Sequence, residues 1–151
     1  MTDKEIKKQV NVAIKILFKK DRFLLKNKVN ERAVAHKLAE YFQQLFPAWH
    51  VDCEYNKKRL ESKELGGINE CDEQKRTDRV YPDIIIHQRN TDSNLLVIEI
   101  KTIRNEEACD IQKLKLFTNQ TGDYRYQLGL FIKFNQLLKP EFKYFKNGRQ
   151  V

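Results

Sequence analysis

The chain has 151 residues, 40% of them apolar and 33% charged, with only five glycines and three prolines, which is enough to bury one real core and too short for two comfortable ones. Lysine and arginine number 29 against 21 acids, a net charge of +8, so the long-range field attracts polyanions and nucleic acid is the leading partner; a basic surface that serves solubility alone is the plainer alternative. No apolar run approaches the roughly 20 residues that span a bilayer, which excludes a transmembrane helix; no membrane partner is expected.

Ile6, Val10, Ala13, Ile14, Leu17 and Phe18 recur at helical spacing with lysines between them, predicting an amphipathic helix over about residues 4–19. Asp21 to Val29 reads as a connector, and Asn30 stands where an N-cap belongs. A second helix is expected from Glu31 to Leu45, with Val34, Ala35, Leu38, Phe42 and Leu45 as its inward stripe and Phe46-Pro47 as its stop. Glu31 shares the inward face, whereas Glu40 lies outside with His36, Lys37 and Gln44. An inward acid in a first turn either complements the helix N-terminus or serves a site.

Trp49 to Tyr55 alternates as a strand does, with Val51, Cys53 and Tyr55 on one side. Asn56 to Arg79 is polar, broken by Gly66-Gly67, and reads as a long loop whose basic residues, Arg79 among them, either track phosphates or belong to a mixed-charge surface. Strands are expected at Val80–His87 and Leu95–Thr102, joined as an antiparallel hairpin by Gln88 to Asn94. A helix over Cys109–Thr118 turns Ile111, Leu114 and Phe117 inward. Gly122 to Arg125 forms a turn, Gln127 to Phe134 another strand, and Pro140 to Val151 has room for a last short one. We expect a single domain over 1–151, comprising a helical extension (1–29), a core (about 30–134) and a basic tail (135–151). Cys53, Cys71 and Cys109 are odd in number, no apolar leader follows Met1, and no Cys-x-x-Cys or His-x-x-x-His pair occurs. Reduced thiols in a cytoplasmic protein without structural zinc are therefore expected.

The chemistry concentrates at two strand ends. Tyr81-Pro82-Asp83 opens the apolar run Ile84-Ile85-Ile86, and Leu95-Leu96-Val97-Ile98 runs into Glu99-Ile100-Lys101. Residues two apart on a strand share a face, so Glu99 and Lys101 project together while Ile98 and Ile100 go to the other side. Charges at the end of an otherwise buried strand need compensation, which a bound cation supplies. Mg²⁺ or Mn²⁺ prefers hard oxygen ligands and keeps several waters, so Asp83, Glu99 and the backbone carbonyl of Ile100 are a sufficient protein contribution. Lys101 would stand near the attacking water as its orienter, as a general base of lowered pKa, or as a charge stabilising the transition state.

This pattern of Pro82-Asp83, apolar strand, hairpin, apolar strand and Glu99-x-Lys101, preceded by a helix bearing Glu31 and followed by a helix and a strand, resembles the PD-(D/E)XK nuclease superfamily. The resemblance covers about residues 30–134. It implies an α/β restriction-endonuclease-like fold with an α-β-β-β-α-β core, a mixed sheet flanked by helices and an extra N-terminal helix. It also implies a divalent metal and hydrolysis of phosphodiesters, DNA favoured over RNA. On the same resemblance Glu31 maps to a further site glutamate, and Gln112 and Lys113 to the place where a polar residue faces the phosphate, a solvated helix face being the alternative for both. Arg79, Lys115 and Lys133 are candidate phosphate contacts, and Glu54 is a reserve ligand. Three rival readings stay open: a module of this fold that binds nucleic acid without cutting it, a subunit of a larger nucleic-acid-processing assembly, and a partner-binding protein that assembles through its lysine-rich first helix. A homodimer acting on two strands is a further expectation to test.

Overall fold

The first helix, α1 (Asp3–Lys20), begins with a capping box. Glu5 N–H donates to Thr2 Oγ1 at 3.3 Å, while Thr2 N–H donates to the Glu5 carboxylate at 2.7 Å, satisfying two of the donors that a helix start leaves orphaned. The computed structural model describes residues 1–26, 30–54, 81–102 and 107–151. Asp21 N–H closes α1 on the Leu17 carbonyl at 2.9 Å, and the expected connector then forms a short helix, α2 (Arg22–Lys26). The local reason is its own apolar triplet: Leu25 enters the core while Phe23 stays 73% exposed. Tyr41 donates its hydroxyl to Asp21, which ties this corner to α3 (Glu31–Leu45). Asn30 caps α3 as expected, its Oδ1 accepting from Arg32 N–H at 2.9 Å.

Among the described residues, six strands form one sheet in sequence order: β1 (His50–Cys53), β2 (Ile84–His87), β3 (Asn94–Lys101), β4 (Leu128–Lys133), β5 (Glu141–Lys146) and β6 (Arg149–Gln150). Only β3 and β4 are parallel, joined across α4 (Ala108–Thr118); every other pair is antiparallel. The fold is therefore α/β with a mixed sheet, and the order α3-β1-β2-β3-α4-β4 follows the expected succession of elements. β1 and β2 are shorter than the sequence suggested. Glu54 leaves β1 with φ +48°, a left-handed conformation that ends the ladder, and β2 begins only after Asp83. Val80, Arg79, Cys71 and the expected loop of 56–79 lie outside the described residues.

The tail departs from expectation. Where one last short strand was expected, it supplies β5 and β6, and β5 pairs along β4 from Gly129↔Phe145 to Lys133↔Glu141. Asn147 and Gly148, at φ +52° and +74°, make the two-residue turn between them, the backbone that a tight hairpin requires. Phe145 is fully buried, so the tail belongs to the core.

Alternation along the strands gives the sheet two unequal faces. Ile84, Ile86, Leu96, Ile98, Ile100, Leu130 and Ile132 pack under α1 and α3 in the larger apolar cluster. Ile85, Val97, Phe131 and Phe145 face Leu114 and Phe117 of α4 in the smaller one. Among the described residues, one helix of eleven residues covers the second face, and beyond the reach of its apolar stripe the remaining positions on that face of β3 are Glu99 and Lys101. Among the described residues, no helix is long and apolar enough to cross a membrane.

Candidate metal and phosphate site

The β2–β3 ladder has its last pair at Ile84↔Ile98, yet β3 continues to Lys101. Its backbone donors beyond that pair still need acceptors. Asp83 supplies one, Oδ2 accepting from Ile100 N–H at 2.7 Å. Glu31, at the start of α3, supplies the next, Oε1 accepting from Thr102 N–H at 3.2 Å. Two acids 52 residues apart in the chain thus line one edge of β3, and each commits a single oxygen to the backbone. The Lys101 carbonyl faces the opposite edge, where it accepts from Phe134 N–H at 2.7 Å. Successive carbonyls alternate, so that of Ile100 faces the edge held by Asp83.

Glu99 is 3% exposed. Its Oε2 lies 4.0 Å from the Lys113 ammonium, and its buried Oε1 has no hydrogen-bond partner among the described residues. Burial, followed by the charge of Asp83, holds its carboxyl well above the usual carboxylate range. Asp83 is shifted the same way: burial leads, the charges of Asp110 and Glu31 add to it, the Ile100 N–H and Lys113 offset part, and the carboxyl stands at about 6.

The two lysines share a carboxylate that the sequence reading missed. Asp110 is 5% exposed and bridges Lys101 at 3.0 Å and Lys113 at 3.2 Å, one oxygen to each. It sits four residues before Leu114 and seven before Phe117, on the inward face of α4. The same periodicity that singled out Glu31 marks Asp110 as an inward acid. Lys101 also lies 4.0 Å from Glu31. Burial alone would lower the Lys101 pKa, but the hydrogen bond that its ammonium donates to Asp110 and the charges of Asp110, Glu31 and Asp83 outweigh it and leave the ammonium above its ordinary value. Lys113 is raised in the same balance, burial opposed chiefly by Glu99 and Asp110.

Of the residues expected at a site, Glu31, Asp83, Glu99, Lys101 and Lys113 come together around the end of β3. Gln112 and Lys115 are exposed on α4, and Lys115, about 200° around the helix from Lys113, stands away from the cluster. Lys133 gives its ammonium to Glu107, which also holds Lys143. Glu54 keeps its backbone beside Asp83, N–H to carbonyl at 3.2 Å, but its carboxylate turns to Arg32 at 3.0 Å on the surface. Among the described residues, no three His, Cys, Asp or Glu side chains form a group that could hold a metal ion. Mg²⁺ does not demand one, because it commonly takes one or two carboxylates and completes its shell with water and substrate phosphate. The partnerless Glu99 oxygen suits a cation, and the acids, the Ile100 carbonyl and the hard-oxygen chemistry are of the type Mg²⁺ uses.

An open cleft elsewhere, between α3 and β1, is lined by His36, Glu40, Gln43, Val51 and Cys53 and includes none of these acids. A polymer substrate running across a sheet end requires no enclosed cavity. No protein-family model matches the chain, and no curated protein matches it.

Proposed function

We propose that the protein is a Mg²⁺- or Mn²⁺-dependent nuclease that hydrolyses phosphodiester bonds, with DNA as the favoured substrate, on a restriction-endonuclease-like version of the observed α/β fold. The observation that carries this reading is the convergence of Asp83 and Glu99 with two charged lysines, at a point where Glu99 is buried and one of its oxygens lacks a partner. A buried acid in that condition is costly, and a cation bound by Asp83, Glu99 and the Ile100 carbonyl relieves the cost. When bound, that cation would activate water and polarise the phosphate.

The chain's own residues supply the rest. Lys101 and Lys113, held by the two oxygens of Asp110, present ammonium groups on either side of it, suited to the negative charge that grows on a phosphate during hydrolysis. Of the three roles open to Lys101, the raised pKa favours charge stabilisation or water orientation over general base, since a base must first lose its proton. Glu31, 4.0 Å from the Lys101 ammonium, orients that side chain while satisfying the Thr102 N–H.

The test is cleavage of linear and supercoiled DNA with Mg²⁺ or Mn²⁺. Asp83→Ala and Lys101→Ala should each remove the activity, and cutting that survives both changes overturns the assignment. A second reading, a module of this fold that binds nucleic acid and does not cut it, is favoured by one observation: Lys101 and Lys113 already neutralise Asp110, so the cluster is partly self-balanced without a cation. Salt-sensitive DNA binding with no turnover in either metal would select it.

A further inference from the structure

We propose that the outer face of α1, continued by α2, is a track for the nucleic-acid backbone that flanks the cleaved bond; this rests on the nuclease reading above. Residues 1–26 hold eight lysines and arginines against three acids, +5 of the chain's +8. All three acids are engaged: Asp3 by Lys146 and Gln127, Glu5 in the N-terminal cap and Asp21 by Tyr41. Lys4, Lys8, Lys15, Lys19, Arg22 and Lys26 are exposed, and among the described residues they make no ion pair. Five cations on the sheet and α4, Lys101, Lys113, Lys133, Lys143 and Lys146, each meet a carboxylate, and Lys115 and Arg149 are the exposed exceptions among the described residues there. Among the described residues, the longest run of exposed cations without an ion pair therefore lies on α1 and α2.

That face has the shape of a backbone track. Lys4, Lys8, Lys15 and Lys19 stand at i, i+4, i+11 and i+15, within about 60° of arc and along about 22 Å of helix. The opposite face of α1 is the buried stripe of Ile6, Val10, Ala13, Ile14 and Leu17. A helix that lies on a membrane sinks its apolar face into lipid; α1 has spent that face on the protein core, so its lysines suit a phosphate backbone. The track reaches the same end of the sheet as the site, from the opposite face. At one end, Asp3 binds Gln127, just before β4, at 2.8 Å. At the other, Phe18 packs on Phe134 with ring centroids 6.4 Å apart, and Phe134 N–H binds the Lys101 carbonyl. Helix α1 thus runs alongside β4 and ends level with the end of β3 that carries Glu99 and Lys101. Lys19, Arg22 and Lys26 stand at that end, and exposed Phe23 beside them offers a ring for base stacking.

The experiment compares the full chain with a variant carrying Lys4→Gln, Lys8→Gln, Lys15→Gln and Lys19→Gln. Binding of a fluorescein-labelled 30-bp DNA duplex, without divalent metal so that nothing is cut, is followed by anisotropy across a salt series. Each phosphate contact contributes about 0.9 to the slope of log K against log salt, so the variant should lose about 3 to 4 from the slope and bind at least about tenfold more weakly near 0.1 M salt. Lys139→Gln with Arg149→Gln, two exposed cations outside α1 and α2, should change the slope by less than about 1. Urea unfolding confirms that each variant is folded. An unchanged slope in the quadruple variant overturns the proposal, as does an equal loss per charge in the control. Binding to phosphatidylserine vesicles through these lysines, with none to the duplex, overturns it in favour of a membrane surface. If the track binds duplex and no metal supports cutting, the nuclease reading fails and the track stands; cutting with an unaltered slope fails the track alone.

Discussion

Asp83→Asn isolates what the site costs the fold. Asparagine keeps a carbonyl oxygen for the Ile100 N–H and removes the titrating group. In the native protein burial, reinforced by Asp110 and Glu31, raises the Asp83 carboxyl from 3.8 to about 6. The folded state therefore holds a proton that the unfolded chain releases near 3.8, so the folded state binds more protons between those values and stability falls as pH rises. The contribution is complete below about 3.8 and lost as pH passes through 6. About two pKa units at 1.36 kcal/mol each give a loss of about 3 kcal/mol at most, a large share of the 5 to 15 kcal/mol typical of a domain. Glu99, also raised, adds a loss of the same sign. Urea unfolding of metal-free protein should therefore show native and variant equally stable near pH 4, and the variant ahead by up to about 3 kcal/mol near pH 7.5. A difference that stays flat across that range refutes the argument that Asp83 is an acid under strain.

Cation binding gives a second, activity-free test: Mn²⁺ at millimolar concentration should raise the unfolding midpoint of the native protein at pH 7.5 by several degrees and leave a double Asp83→Asn, Glu99→Gln variant unmoved. Asp110→Asn removes the shared counter-charge of Lys101 and Lys113, both of them partly exposed, and should cost about 1 to 3 kcal/mol in urea unfolding at pH 7. Lys101→Met should lower cleavage by about 10² to 10³ while DNA affinity measured without metal changes little; equal losses in both would make Lys101 a binding residue. Gly129→Ala tests the packing behind the site. Its new methyl would sit 2.9 Å from Thr118 Cγ2 and 3.2 Å from Phe145 Cβ, between α4 and β5, and should destabilise by about 1 to 3 kcal/mol in thermal or urea unfolding.

Helix and strand identity could be read from the chain because both depend on local spacing. The apolar stripes of α1 and α3, the Asn30 cap and the same-face placement of Glu99 and Lys101 all arise within a few turns or a few residues. The antiparallel β2–β3 hairpin followed from a short polar link. Glu31 was marked by its inward periodicity, although periodicity left open whether it served the helix start or a site; in the structure it reaches Thr102 N–H and stands near Lys101.

What lay beyond local spacing depended on how distant segments dock. The parallel register of β3 on β4 is set by the passage of α4 across the sheet, and that docking, rather than anything near Asp110 in sequence, brings its carboxylate between Lys101 and Lys113. Asn147-Gly148 marks the β5–β6 turn locally, but the burial of Phe145 comes from the pairing of β5 along β4, which spacing within the tail does not dictate. Glu54, one residue past β1, was drawn away from the acids by Arg32, a pairing that exists only once α3 packs beside β1. Local chemistry thus determined which segments fold and which acids face inward; burial and long-range pairing decided which of those acids meet, and at what cost in proton affinity.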